Sequence, residues 1–313
     1  MSFKKVLLVS LLVLVAGIFY AAEKPVIGIS VVGTEHDWDI KAFNGAISRA
    51  KELGAEVIAF DGERRPEKQQ SDIRTLIARN VDALIVILGF KDVVEPELKI
   101  AREKGIKVVT ADFRSIYSQC NVSTNNMVAM VELVLKMVAD LNGQGEIGIF
   151  YRPGSPIAEL RKKCLDLVLS EFPNVKIVAQ EAYVLPGTVP DAYNKTRDML
   201  RAHPEIDAFW SLFDMPMIGA AQAIGDMKHS AKCYGFDGDP TALKMIADPN
   251  SAFEATVLQQ PYKIGQTTAE IAMKLIKGES VSSMVFVPHI LVTRENIQEV
   301  MEMVEELNKQ LGL

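Results

Sequence analysis

Short, β-rich apolar runs alternate with helical stretches almost from end to end of this chain, and that alternation limits its fold more than any other feature. Segments 26–31, 56–60, 83–87 and 107–110 read as buried strands rich in Val, Ile and Leu. Between them, 40–53, 67–80 and 93–104 carry helical periodicity, and Gly54 and Gly105 stand just past two of these helices as caps. Continuous apolar strands separated by helices imply a parallel sheet covered on both faces. The pattern then restarts, with strands at 147–151, 176–183, 208–212, 232–236 and 253–258. Helices are expected at 127–141, 157–171, 190–202, 216–227 and 262–276, and short strands near 285–292. The last segment, 294–311, is a charged amphipathic helix with Val300, Val304 and Leu307 on its apolar stripe. Two such sets predict an α/β protein of two Rossmann-like lobes, each with a parallel sheet.

The N-terminus has a separate character. Lys4 and Lys5 precede 17 residues without charge, 6–22, after which Glu23, Lys24 and Pro25 follow at once. A basic start, a short apolar core and small residues at its end read as a secretory signal, residues 1–22, and so as an exported protein. The alternative is an uncleaved anchor helix, because 17 residues is the lower limit for crossing a bilayer and Tyr20 is bulky for a cleavage site. The net charge of −6 and the absence of a Lys/Arg cluster argue against nucleic-acid binding. Cys120, Cys164 and Cys233 are too widely spaced for a metal motif and read as buried apolar side chains. No Walker-type or dinucleotide-type glycine loop is present, and neither a cofactor nor a metal is expected.

In open parallel sheets, ligands bind beyond the carboxyl ends of the strands. That rule selects a few loops: His36, Trp38 and Asp39 after the first strand, and Asp112, Phe113 and Arg114 after the fourth. Arg161 lies in the helix behind the Pro153-Gly-Ser-Pro156 turn, and Phe213, Asp214, Asp237 and Gln259 follow later strands. Asp and Arg form charge-assisted hydrogen bonds with hydroxyls, and Gln offers a donor and an acceptor on one plane. Aromatic rings such as Trp38 and Phe213 can cover the C–H face of a sugar. His36 and Asp39 divide between facing a ligand and facing solvent, and Phe113 and Phe213 between pocket wall and core. Trp210, inside a strand, reads as core.

At these loops the sequence resembles the ribose-binding type of periplasmic binding protein of sugar ABC importers. The resemblance covers nearly the whole chain after residue 23 and rests on ordered short motifs. They are Val26-Ile-Gly-Ile-Ser30 with Trp38, Lys107-Val-Val-Thr-Ala-Asp112, Gly154-Ser155 with Arg161, Asp207-Ala-Phe209, Gly235-Phe-Asp-Gly238, and Ala255-Thr-Val-Leu-Gln-Gln-Pro261 with Ile264-Gly265. It implies that Asp112, Arg161, Asp237 and Gln259 hold sugar hydroxyls and that Trp38 stacks on the ring. Asp39, Phe113 and Phe213 stand where ribose binders carry an aromatic, an arginine and an asparagine, so a different monosaccharide, a sugar alcohol or another small polyol is expected. The resemblance also implies a three-strand hinge. The expected lobes are 24–123 with 261–287, and 124–260 with 288–313. The expected partners are an ABC permease or, in a sensory version, a membrane chemoreceptor, and the protein is expected to act as a monomer. A sugar hydrolase built on Asp112 and Asp237 is the competing reading. It needs one carboxyl raised in pKa in an apolar setting, and Arg161 nearby is expected to lower it.

Overall fold

A computed structural model describes residues 24–311, and the expected export segment lies outside them. Two six-stranded sheets form the core of two lobes, so the predicted α/β architecture is found. In lobe one the chain runs β1 (Val26–Val31), α1 (Asp37–Glu52), β2 (Glu56–Asp61), α2 (Pro66–Ala78), β3 (Ala83–Ile87), α3 (Lys91–Glu103), β4 (Lys107–Ala111) and β5 (Cys120–Thr124). Lobe two contains α4 (Asn126–Asp140), β6 (Gly145–Phe150), α5 (Pro156–Glu171), β7 (Val175–Glu181), α6 (Thr188–Ala202), β8 (Ile206–Ser211), α7 (Asp214–Met227), β9 (Lys232–Tyr234), α8 (Pro240–Ala247) and β10 (Phe253–Leu258). The chain then returns to lobe one with α9 (Pro261–Ile276) and β11 (Met284–Val287), and ends in lobe two with β12 (Ile290–Thr293) and α10 (Ile297–Leu311).

The sheet orders are β11-β5-β4-β3-β1-β2 and β12-β10-β9-β8-β6-β7. Every pairing is parallel except β10 with β12. The order reverses between β1 and β3 in one sheet and between β6 and β8 in the other, which opens a crevice at the carboxyl ends of those strands. The chain crosses between sheets three times: from β5 to α4, from β10 to α9 and from β11 to β12. The apolar stripe of α1, Trp38, Ala42, Ala46 and Ala50, packs into the core of lobe one with Ile264, Ala269 and Ala272 of α9. All three cysteines are buried free thiols, and Trp210 is fully buried in the core of lobe two.

Two elements were not anticipated. Strand β5 carries Asn121, Ser123 and Thr124, all buried, and its polarity hid it from an apolar pattern search. The Asn121 side-chain oxygen accepts from Thr110 Oγ1 at 3.1 Å and the Phe113 amide at 3.2 Å, which lets a polar strand lie in a core. Helix α8 begins with Asp239 accepting from the Thr241 amide at 2.7 Å, followed by Pro240, and its eight residues are too short for a clear period. A third difference is an earlier start of α1, at Asp37 rather than residue 40. The acidic first turn formed by Asp37 and Asp39 suits the positive end of the helix.

Candidate functional site between the lobes

Asp112 directly follows β4 with a left-handed backbone, φ 46°, a conformation that Asp tolerates better than most residues. Its carboxylate accepts from the Ser123 hydroxyl and, at 3.4 Å, from the Asn126 amide. Burial raises its pKa to about 6, although Ser123 and Arg161 pull it back. Phe113 is buried in the core between α2, α3 and the sheet and also borders the interlobe space. Arg114, expected in the site, is instead exposed and lines neither interlobe cavity. The chain turns outward there, between β4 and β5, where a long cation stays hydrated.

Arg161 projects from the first turns of α5 and is nearly wholly buried, at 4% exposure. Its Nε and Nη2 donate to the Asn126 side-chain oxygen at 2.9 and 2.7 Å, and Nη1 donates to the Leu212 carbonyl at 2.5 Å. The guanidinium lies 3.7 Å over the Phe236 ring, and Nη1 stands 3.7 Å from Asp237 Oδ1. Asn126 therefore links lobe one to lobe two: its oxygen takes Arg161 while its amide reaches Asp112, Ser123 and the Thr124 carbonyl.

Asp237 sits at φ 134°, a backbone region that few side chains adopt. Gln259 Nε2 donates to its Oδ1 at 2.8 Å, and His36 Nε2 of lobe one lies 3.8 Å from its Oδ2. Burial raises its pKa too, with Arg161 and His36 opposing. Arg161 thus does pull the carboxyls down, but burial outweighs it in each, and the expected lowering is corrected to a net rise. Asp214, at the start of α7, is fully engaged, accepting from Thr256 Oγ1 at 2.6 Å and the Asp239 amide at 2.8 Å.

Two residues of the first loop sit differently from expectation. Trp38, expected to stack on a sugar, lies in the core of lobe one at 5% exposure, because the early start of α1 puts it on that helix's apolar stripe. It still lines a small cavity of about 40 Å³ with His36, Asp237 and Gln259. Trp38 Nε1 and Gln259 Oε1 are buried with no partner among the described residues, one a donor and one an acceptor. Asp39 is buried rather than solvated and is paired with Arg64, and burial raises its pKa to about 6 against the pull of Arg64.

An aromatic wall exists, with Tyr183 rather than Trp38 beside the anticipated Phe213. Phe213 meets Tyr183 edge to face with ring centroids 4.8 Å apart, and His36 lies 6.4 Å from Phe213. Tyr183, Asn126 and Arg64 escaped the sequence reading. Tyr183 stands at a strand tip followed by Pro186-Gly187, a turn signal that the strand-end rule could have used. Arg64 follows β2 in the same way, whereas Asn126 lay hidden behind the unrecognised β5.

Residues 27–280 match the family described as periplasmic binding protein domain. A solved ABC transporter solute-binding protein from Agrobacterium vitis, with bound allitol, is 35% identical and superposes with a TM-score of 0.86 over 90% of this chain and 99% of that one. An ABC sugar transporter subunit from Rhodobacter sphaeroides 2.4.1 is 37% identical, with a TM-score of 0.84 over 87% and 99% of the two chains. The ribose import binding protein of Bacillus subtilis (strain 168) is 28% identical over 277 residues, 86% of this chain and 87% of that protein.

Proposed function

The chain belongs to the periplasmic binding protein family, and we propose on that basis that it is the substrate-binding component of an ABC-type importer, taking a monosaccharide or small polyol between its lobes. The observation that carries this reading is the convergence of Asp112 from lobe one with Arg161, Asp237 and Gln259 from lobe two around Asn126. These groups offer charged acceptors and a charged donor, held in place by protein partners. Hydroxyls both donate and accept, so a polyol can answer each. The unpartnered Trp38 Nε1 and Gln259 Oε1 supply one more donor and one more acceptor. A micromolar affinity corresponds to about 8 kcal/mol. Several charge-assisted hydrogen bonds of about 1.5–3 kcal/mol each reach that after ordering costs.

In this reading the three connections between sheets act as the hinge, and ligand contacts made to both lobes at once favour the closed form. The closed shape is what a membrane permease reads. The protein acts outside the cytoplasm and transforms nothing. A thermal-shift screen against pentoses, hexoses, tetritols, pentitols, hexitols and inositols tests this. At a ligand concentration 100 times Kd the stabilisation is about 2.7 kcal/mol. A panel without a single rise in melting temperature, or a sugar product detected by mass spectrometry, would reject it.

The raised carboxyls also set a pH dependence. A ligand hydroxyl donates to the ionised form, so protonating Asp112, with a pKa of about 6, weakens binding. Affinity is expected to fall about tenfold between pH 7 and pH 5 for that group alone. The ligand-free protein responds in the opposite sense. A carboxyl whose folded pKa exceeds its unfolded one contributes stability at low pH that is lost as pH rises through about 6, for Asp112 and Asp39 alike. Titration calorimetry at several pH values checks the first effect. The Asp112→Asn variant should show a flatter profile in whatever binding remains.

A further inference from the structure

Beside the polar groups lies a chamber of different chemistry. It is about 490 Å³ in volume, and Tyr183, Leu185, Pro186, Leu212, Phe213 and Met215 bound it on the lobe-two side. Asp237 also lines it, and therefore joins it to the small cavity of Trp38 and Gln259. Arg64, Tyr183 and Leu185 join it to the cavity that contains Asp112. On the lobe-one side stand Glu35, His36, Glu63 and Arg64. These charges are already committed. Arg64 pairs with Asp39 and, at 3.1 Å, with Glu35. Glu63 pairs with Arg65 at 2.7 Å, and His36 faces Asp237.

A hydroxyl pushed into such a chamber exchanges water for ring edges, alkyl groups and a thioether, which is unfavourable. An apolar group gains from the same transfer. Phe213 and Met215 flank the start of α7 at the rim of the acid cluster, so one molecule can reach both environments. Building on the sugar- or polyol-binding reading above, we propose that the ligand carries a short alkyl or alkylthio group on one end of its carbon chain. Tyr183, Phe213 and Met215 select for that group while Asp112, Arg161, Asp237 and Gln259 hold the hydroxyls.

The test is titration calorimetry on the full chain with matched pairs: allitol, ribitol and D-ribose, each against its terminal methylthio derivative. In every pair that binds, the derivative is expected to be about tenfold tighter, or 1.4 kcal/mol. Met215→Gln, at a half-buried position on the chamber wall, is expected to erase that advantage while leaving the parent compound within about twofold. Equal or tighter binding of the parent compounds overturns this inference and leaves the polyol reading intact. An advantage that survives in Met215→Gln also overturns it, because the group then sits elsewhere. Silence from every parent and every derivative overturns both readings.

Discussion

Replacing Arg161 by alanine is expected to cripple ligand binding, with affinity reduced by at least about thirtyfold. The guanidinium is the buried cation closest to Asp237, and it is tied to Asn126 and the Leu212 carbonyl. Truncating one partner of a buried, hydrogen-bonded charge pair costs roughly 2–5 kcal/mol in binding, which is 30-fold to several thousandfold. The fold also feels the change. Asn126 loses the donors to its oxygen, and Asp237 and Asp112 lose the cation that offsets part of their burial. A loss of about 3 kcal/mol, seen as a melting temperature lower by about 6–12 °C, is expected. Asp112→Asn separates the two effects. It should weaken binding comparably while leaving the ligand-free protein as stable as before or more so at pH 7, because an amide escapes the burial cost that raises the Asp112 pKa. Affinity unchanged in both variants would remove the assigned site.

The second large effect is structural. Gly265 lies where α9 crosses α1, and a Cβ there would stand 2.0 Å from the Ala42 carbonyl oxygen and 2.7 Å from the Ala46 amide. Gly45 on the facing helix meets the Tyr262 carbonyl oxygen at 2.2 Å in the same sense. Backbone atoms inside a helix cannot yield as a flexible side chain does, so Gly265→Val must separate the two helices. Overpacking costs about 1–3 kcal/mol, and a clash against backbone lies at or above the upper end. The melting temperature is expected to fall by more than about 8 °C. Binding should weaken too, because α1 carries Trp38 and Asp39 and α9 starts two residues beyond Gln259. Gly225→Ala is the control. Outside its own stretch of helix, nothing among the described residues lies within 4 Å of the added methyl, so the usual helical gain of about 0.5–1 kcal/mol is expected instead. Calorimetry that finds Gly265→Val as stable as the parent would refute the close-contact account.

Legibility differed among the residues of the cleft. Asp112, Asp237 and Gln259 were selected because each follows a strand whose apolar pattern is visible in one dimension, and Arg161 because it stands in the helix behind the Pro153–Pro156 turn. Trp38 was misjudged by three residues of helix. Once α1 begins at Asp37, residue 38 falls in register with Ala42 and Ala46 and turns into the core. Arg114 was misjudged because its neighbour Asp112 faces the cleft, whereas the connection to β5 carries the arginine away. Asn126 and Ser123 needed β5 to be recognised, and a polar strand satisfied by side-chain partners leaves no apolar period to read.

From its own pattern the chain determines two parallel α/β units, their helices and the loops at their strand tips, because hydrophobic periodicity and glycine caps are local properties of consecutive residues. Pairings between distant residues are decided only in three dimensions. They include Arg161 with Asn126, His36 against Asp237, Tyr183 against Phe213, and a burial that outweighs the arginine and raises the acids. Each depends on how much water is excluded and on which of two lobes supplies the neighbour, and neither quantity is carried by the order of the residues alone.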